Sequence, residues 1–203
     1  MTIRFHARAA LGAAALFLSL LSVPGPVSAA SSVSGGAIAE FQSTGPRSGQ
    51  WMYTLQLNWT SDVPTWQITL DLGLSACPCV CAGVFDFDFP AGSGAGNGGA
   101  CTTLFNGKFA CSGDPFVGLS TPAIDWWPLS SACRPHGSGA GNLVFFSDLR
   151  PRTITSLPAD NLFVRSGTTV WSGRITGQLP SCVGCTQTSV EENTWGRIKS
   201  VYR

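Results

Sequence analysis

The amino-acid sequence predicts an all-β protein: a disulfide-stapled antiparallel β-sandwich, immunoglobulin-like or jelly-roll-like, with a short C-terminal helix. Three observations predict this class. Apolar side chains recur with a period of about two rather than about 3.6 along much of the chain. Glycine and proline, which number 24 and 13 among 203 residues, separate these runs, as expected of strands joined by turns. The eight cysteines form an even set that suits disulfide pairing.

The chain opens with the pattern of a secretory signal peptide. Arg4 and Arg8 supply positive charge, an uncharged apolar run covers residues 9–23, and residues 27–29 read Val-Ser-Ala, a small-residue cleavage pattern. The run is shorter than the roughly 20 apolar residues that cross a membrane. We therefore expect residues 1–29 to be a signal peptide, and the mature protein to be secreted or held at the cell surface.

The remaining chain divides into a β-sandwich domain over residues 30–185 and a linker with a short tail over residues 186–203. The domain is long enough to bury a core of its own.

Alternating runs predict the strands of this domain. Over residues 51–59, tryptophan, tyrosine and leucine alternate with mostly polar side chains. Residues 66–72 repeat the pattern, and residues 85–89 alternate phenylalanine with aspartate. Such alternation predicts strands with one buried and one solvent-facing side. Further strands are predicted over residues 123–127, 143–149, 161–165 and 168–176.

Two glycine-containing motifs predict the connections. Asn106-Gly107 suits a two-residue hairpin turn between short flanking strands. The hexapeptide Gly-Ser-Gly-Ala-Gly-Asn occurs twice, at residues 92–97 and 137–142, and its glycine content predicts a flexible backbone. We expect both copies to be long loops at one end of the sandwich.

All eight cysteines follow the predicted leader, and in an exported chain we expect them to form disulfides. Cys77, Cys79 and Cys81 would share one face of an extended strand, so they should reach different partners. The sequence does not select among the many pairings that eight cysteines allow. Zinc is the alternative, but only Cys182 and Cys185 have the spacing of a zinc-ligand pair. The disulfide candidates are Cys77, Cys79, Cys81, Cys101, Cys111, Cys133, Cys182 and Cys185.

The charge balance argues against two classes of partner. Once Arg4 and Arg8 leave with the leader, the twelve basic residues fall to ten, against eleven acidic ones. Without a basic patch we expect no binding to nucleic acid and none driven by charge to an anionic membrane. No later apolar run is long enough to span a bilayer, so the mature chain is expected to have no transmembrane segment.

No catalytic constellation is evident, and we expect neither an enzyme nor a cofactor. His136, the one histidine after the leader, lies in a glycine-rich segment, and the chain has no nucleophile-elbow motif. Asp86 and Asp88 share a strand face and could pair with Asp114 or Asp125 as in a glycosidase. A divergent glycosidase is therefore the third functional alternative. The same aspartates could hold calcium, although no loop of the EF-hand type is present.

Tryptophan gives the strongest binding signal. Trp126 and Trp127 are adjacent, so in a strand one faces the core and the other the solvent. An outward Trp127, together with Trp171, would offer a flat platform for a sugar ring or for another protein. The candidate ligand-binding residues are thus Trp126, Trp127 and Trp171; the alternative is that these rings fill the core or cover a loop.

A series of short motifs follows in order along residues 50–182. The motifs are residues 51–55, residues 66–72, Asp114-Pro115, residues 123–126, residues 141–147, residues 164–168 and residues 173–182. Their order resembles exported bacterial β-sandwich domains of PEP-CTERM-type surface proteins. The resemblance implies an extracellular sandwich and assigns no catalytic residue. The chain departs from that class in its final residues, which read Trp-Gly-Arg-Ile-Lys over 195–199 and contain no Pro-Glu-Pro motif.

The tail itself predicts a short helix over residues 194–203. Asn193 or Thr194 can cap its start, and apolar side chains then recur at helical spacing. Two roles of the tail stay open: recognition by an export or surface-attachment system, or packing of the terminus on its own domain. The sequence as a whole predicts an exported, non-enzymatic interaction module with a glycan or protein ligand that the sequence does not identify. The alternative is a carbohydrate-binding module that uses exposed tryptophan.

Overall fold

A computed structural model describes residues 31–74, 77, 80–155 and 159–181, and within them the protein is all-β, as predicted. The eleven strands are β1 (Ser32–Phe41), β2 (Trp51–Ser61), β3 (Gln67–Asp71), β4 (Phe85–Asp86), β5 (Gly92–Gly96), β6 (Cys101–Ala110), β7 (Ala123–Pro128), β8 (Gly137–Ser147), β9 (Pro151–Ile154), β10 (Leu162–Ser166) and β11 (Thr169–Pro180). Val80–Ala82 and Asn97–Gly99 form single 3₁₀ turns. Nowhere in the described ranges is a helix long and apolar enough to cross a membrane.

Nine of the strands close into a barrel. Hydrogen-bonded neighbours follow the order β1-β2-β8-β5-β6-β7-β3-β10-β11, and β11 returns to β1 through a parallel pairing that runs from Ser34 opposite Arg174 to Ala37 opposite Gly177. The two short strands outside this ring attach to it, β4 along β8 and β9 along β11.

The predicted sandwich of two separate sheets is therefore wrong, because two long strands each belong to both halves. In β6, residues 101–104 pair with β5 and residues 105–110 pair with β7. In β11, residues 169–173 pair with β10 and residues 174–177 pair with β1. Strands that bend from one sheet to the other join the sheets at the corners and remove the open edges that a sandwich keeps.

The core confirms the alternation predicted for residues 51–59. Four inward side chains of β2 are buried, and their polar neighbours face outward. Tyr53 stacks on Phe145 with ring centroids 4.8 Å apart, and its hydroxyl donates to the Leu149 carbonyl at 2.6 Å. Burial raises the pKa of Tyr53 above its ordinary value. The hydroxyl is thus neutral, and its hydrogen bond satisfies the one polar atom that the ring brings into the core.

The hairpin predicted at Asn106-Gly107 is wrong because both residues lie inside β6. Gly107 faces the ring of Phe87, and a Cβ at this position would overlap that ring. The glycine therefore makes room for an aromatic side chain where β6 passes from β5 to β7, and no turn is needed there.

The two copies of the repeated hexapeptide form strands, so the loops predicted for them are also wrong. The first copy forms β5, the second begins β8, and they pair antiparallel with Gly94 opposite Gly141. The indole of Trp59 lies on the inner side of both. A Cβ at Gly94 would stand 2.8 Å from Trp59 Cη2, and one at Gly139 would stand 2.5 Å from Trp59 Nε1. The glycines are there because the inner face of these strands must accept a flat ring at close range.

Disulfides join two pairs of the described cysteines, Cys81 with Cys111 and Cys101 with Cys133. Cys77 is also disulfide-bonded, and none of the described cysteines is free. Cys81 lies in a 3₁₀ turn rather than in the predicted extended strand. These bonds indicate an oxidising compartment.

Some predictions fall outside the described residues. They are the signal peptide over residues 1–29, the C-terminal helix over residues 194–203, and the oxidation of Cys79, Cys182 and Cys185.

The contact between glycine and indole can be tested by adding one methyl group. Gly94→Ala, where the indole is the nearest neighbour of an added Cβ, should lower the free energy of unfolding by about 1–3 kcal/mol, as overpacking of a well-filled core does. The measurement is urea denaturation followed by tryptophan fluorescence.

The matched control is Gly36→Ala in β1, where a Cβ would meet nothing within 4 Å. It should change the free energy of unfolding by less than about 0.5 kcal/mol. Equal losses in both variants would show that Gly94 does not mark a close approach to the indole.

Candidate functional site

The outer face of β3 is buried, although its sequence pattern predicts exposure to solvent. Gln67 and Thr69 alternate with Ile68 and Leu70, and all four side chains are buried. The apolar pair joins the core, whereas the polar pair faces away from it. Trp66, predicted to lie on the buried side, precedes the strand and is 41% exposed.

A loop between β6 and β7 covers this polar face. Gly113 has a φ of 80°, a left-handed conformation that favours glycine. The Asp114 carbonyl accepts the Leu119 N–H, and its Oδ1 accepts the Phe116 N–H, each at 2.9 Å. The turn leaves Asp114 Oδ2 pointing at β3.

Two buried carboxylates meet under the loop and share the same hydrogen-bond donors. Gln67 Nε2 donates to Asp114 Oδ2 and lies 3.1 Å from both Asp125 Oδ1 and Thr69 Oγ1. The Thr69 hydroxyl lies 2.6 Å from Asp125 Oδ1 and 3.2 Å from Asp114 Oδ2. Asp114 and Asp125 are 3% and 5% exposed, so this network replaces the water that such groups require.

The charges around Asp125 oppose one another. Burial raises the pKa of Asp125, and the negative charge of Asp114 raises it further, whereas hydrogen bonds from Thr69 and Gln67 and the positive charge of Lys108 lower it. The net direction is upward because burial is the largest effect. Lys108 stands directly opposite Asp125 across the β6–β7 pairing.

A cleft of about 490 Å³ opens between this loop and the outer face of the sheet. Trp127 and Phe116 contribute aromatic surface to it, and Lys108 and Arg165 contribute positive charge. The guanidinium of Arg165 lies 4.4 Å from the centre of the Phe116 ring. Together with the two aspartates, these residues give the cleft no formal net charge. Its volume falls in the range of small-molecule sites.

Two buried polar atoms of cleft residues have no hydrogen-bond partner among the described residues. They are Gln67 Oε1, an acceptor, and Arg165 Nε, a donor. Gln67 and Arg165 stand directly opposite each other on β3 and β10, and both line the cleft. Buried polar atoms are almost always paired in folded proteins, so this unpaired donor and unpaired acceptor suit a group that both donates and accepts a hydrogen bond, such as a water molecule or a hydroxyl.

The three predicted tryptophans separate in the structure. Trp127 is half-buried and lines the cleft. Trp126 is completely buried, and its ring centre lies 6.2 Å from that of Phe145. Its prediction as a ligand-binding residue is therefore wrong, because a completely buried ring offers no surface to a ligand. Trp171 packs partly buried against the core and does not line the cleft.

The acid pair differs from the one that the strand pattern suggests. Arg47 forms ion pairs with Asp86 at 2.8 Å and with Asp88 at 3.0 Å, and neither aspartate lines the cleft. Asp114 and Asp125 meet each other instead. Within the described residues no three His, Cys, Asp or Glu side chains are grouped to hold a metal ion.

Sequence reasoning finds part of this site and misses the rest. Trp127, Asp114 and Asp125 are sequence candidates, but Gln67 and Arg165 are not. The signal that could have found Gln67 is the set of polar side chains on β3, a strand with paired neighbours on both sides. The outer face of such a central strand is exposed to solvent only where no other segment covers it.

No protein-family model, no curated protein and no solved structure shows significant similarity to this chain. The resemblance to surface proteins of the PEP-CTERM type therefore stays a prediction.

The raised pKa of Asp125 predicts a pH-dependent effect of its replacement. In the unfolded chain the carboxyl titrates near about pH 4, whereas folded Asp125 keeps its proton to higher pH. Its contribution to stability is thus present at low pH and is lost as pH rises through the folded pKa. Asp125→Asn should gain stability relative to the native protein as pH rises above about 4, measured by urea denaturation.

Asp160→Asn is the control with the opposite sign. Hydrogen bonds from Ser172 and Arg174 lower the pKa of Asp160, so its contribution is present above the ordinary pKa and is lost as pH falls. This variant should lose stability relative to the native protein as pH rises to about 4, and the difference should then stay level at higher pH. A pH-independent difference for Asp125→Asn would contradict the assignment.

Proposed function

We propose that the protein is an exported, non-enzymatic binding module whose ligand is a neutral carbohydrate held in the cleft beside Trp127. Export through the predicted leader and recognition of the tail by an attachment system belong to the same proposal. The observation that carries the ligand assignment is the unpaired pair of polar atoms, Gln67 Oε1 and Arg165 Nε, in that cleft.

A sugar hydroxyl matches this pair because it accepts one hydrogen bond and donates another. One hydroxyl placed between the opposed side chains would accept from Arg165 Nε and donate to Gln67 Oε1. A carboxylate or phosphate could accept from Arg165 but has no proton for Gln67. An ammonium group could donate to Gln67 but has no lone pair for Arg165.

The remaining walls support the same ligand class. Trp127 provides an apolar ring surface against which the C–H face of a pyranose can pack, and Lys108 can donate to further hydroxyls. Because the formal charges of the cleft cancel, a neutral ligand brings no uncompensated charge into a partly desolvated site.

The buried acids support binding rather than hydrolysis. Asp114 uses Oδ1 to fix its own loop and Oδ2 to accept from Gln67, and Asp125 Oδ1 accepts from Thr69. A general acid or a nucleophile must reach the glycosidic bond, whereas these oxygens hold the covering loop to the sheet. Hydrolysis of a glycosidic bond by the pair of acids stays the alternative function.

The test is a glycan array of neutral oligosaccharides probed with the mature protein, followed by calorimetric titration of the ligand found. Trp127→Ala should weaken binding by at least about tenfold, because the stacked ring surface is lost. Arg165→Lys should also weaken it, since lysine keeps the charge but lacks the Nε donor.

Phe89→Ala serves as the control, because Phe89 is 76% exposed and does not line the cleft. Its affinity should match that of the native protein. Absence of any neutral glycan ligand, or unchanged affinity in Trp127→Ala, would contradict the proposal. Shortened sugar products after long incubation with the ligand would identify a hydrolase instead.

A further inference from the structure

A second groove, of about 410 Å³, lies where the connection from β2 to β3 meets the segment before β8. Trp66 and Pro64 line it from the first side, Arg134 and His136 from the second, and Ser166 from the β10–β11 turn. Among the described residues that line it, none is acidic. The groove thus combines a positive charge with exposed aromatic surface.

Covalent and hydrogen bonds fix the segment that carries Arg134. Cys133 is bonded to Cys101 at the start of β6. The Pro135 carbonyl accepts the Thr65 N–H at 2.8 Å. This hydrogen bond holds Arg134 beside Trp66, since each is the chain neighbour of a bonded residue. A recognition side chain on such a braced backbone loses little entropy when a ligand binds.

His136 braces the same segment from its other end. Its carbonyl accepts the Asn97 N–H at 2.7 Å. Its Nδ1 lies 3.2 Å from the Arg134 carbonyl and its Nε2 lies 3.0 Å from Asn97 Nδ2. These contacts hold the His136 ring against the segment, so the histidine braces the backbone and Arg134 supplies the permanent positive charge of the groove.

The guanidinium of Arg134 stacks on Trp66, 4.5 Å from the ring centre. Within the described residues no carboxylate lies within 4 Å of it, since the ion pairs there involve Arg47 and Arg174. Trp66 keeps 41% of its surface exposed. A guanidinium beside an aromatic ring keeps its charge and its fork of N–H donors, which can pair with a carboxylate through two hydrogen bonds.

We propose that this groove binds the carboxylate-bearing residue of an acidic polysaccharide, a uronic acid. Arg134 pairs with the carboxylate, and the exposed part of the Trp66 indole packs against the sugar ring. The choice of a sugar rests on the function proposed above, but the site and the charged recognition group are different.

An acidic peptide fits this groove less well. Peptides that add to a sheet need an unpaired strand edge, whereas here the Trp66 N–H already donates to the Arg165 carbonyl at 2.8 Å and β3 is paired with β10. Pro64 offers no N–H to a peptide carbonyl. The groove therefore supplies charge and ring surface but no backbone ladder.

The experiment compares a galacturonate trisaccharide with its methyl ester, which removes the charge and keeps the sugar. The mature protein should bind the acid at least about tenfold more tightly than the ester, and the preference should shrink as salt rises from about 20 to about 200 mM. Arg134→Gln should abolish the preference, and Arg134→Lys should recover part of it.

Arg150→Gln is the matched control, because Arg150 is exposed, lies outside both grooves, and its replacement makes the same change in net charge. It should leave the preference intact. Trp66→Ala should weaken binding of the acid. Trp66→Tyr keeps an aromatic ring at this position and should retain most of the binding, and it tests the role of the ring if Trp66→Ala does not fold. Thermal unfolding of each variant verifies the fold.

Several results would overturn the inference. They are equal affinity for acid and ester, an equal loss in Arg150→Gln and Arg134→Gln, and binding of a glutamate tripeptide as tight as that of the trisaccharide. Trp127→Ala separates the two proposals: it should abolish neutral-glycan binding and spare the acid preference. Neutral-glycan binding that survives in Trp127→Ala refutes the proposed function alone, and loss of the acid preference in that variant refutes the second site.

Discussion

The indole of Trp59 lies directly against strand backbone, and the glycine-rich half of the barrel depends on that contact. Gly94, Gly139 and Gly141 leave the ring its space, and the two copies of the hexapeptide become neighbouring strands whose inner faces carry no side chains. A larger residue at any of these positions would push the sheet away from the ring. The repeat is therefore a packing device, and it places β5 and β8 in the closed ring between β2 and β6.

On the other half of the barrel, the constraint is the cost of burying polar groups. The loop that covers β3 removes two carboxylates from water, which is unfavourable unless donors replace the lost solvent. Gln67 and Thr69 supply those donors, and their positions on one face of β3 fix where Asp114 and Asp125 can lie. The cleft exists because this network holds the loop above the sheet while leaving Trp127 and Arg165 at its open side.

The two grooves are neighbours through β3 and β10. Trp66 lines one and Gln67 the other, although they are adjacent in the chain. Arg165 connects both sites, since its carbonyl accepts the Trp66 N–H while its side chain lines the cleft.

The sequence by itself determined the all-β class, the inward face of β2 and the disulfide bonding of the described cysteines. A period of two is a local property of the chain, and an even cysteine set is read from composition alone. Only the tertiary structure decided that Asn106-Gly107 continues a strand, that the hexapeptides pair, and that the sheet closes. Glycine permits a turn, a loop or a close approach equally well, and which of them occurs depends on whether Phe87 or Trp59 arrives from a distant part of the chain. The site follows the same rule. The exposure of Gln67 depends on a loop some fifty residues away, because burial is a property of what covers a strand and the strand's own pattern does not encode it.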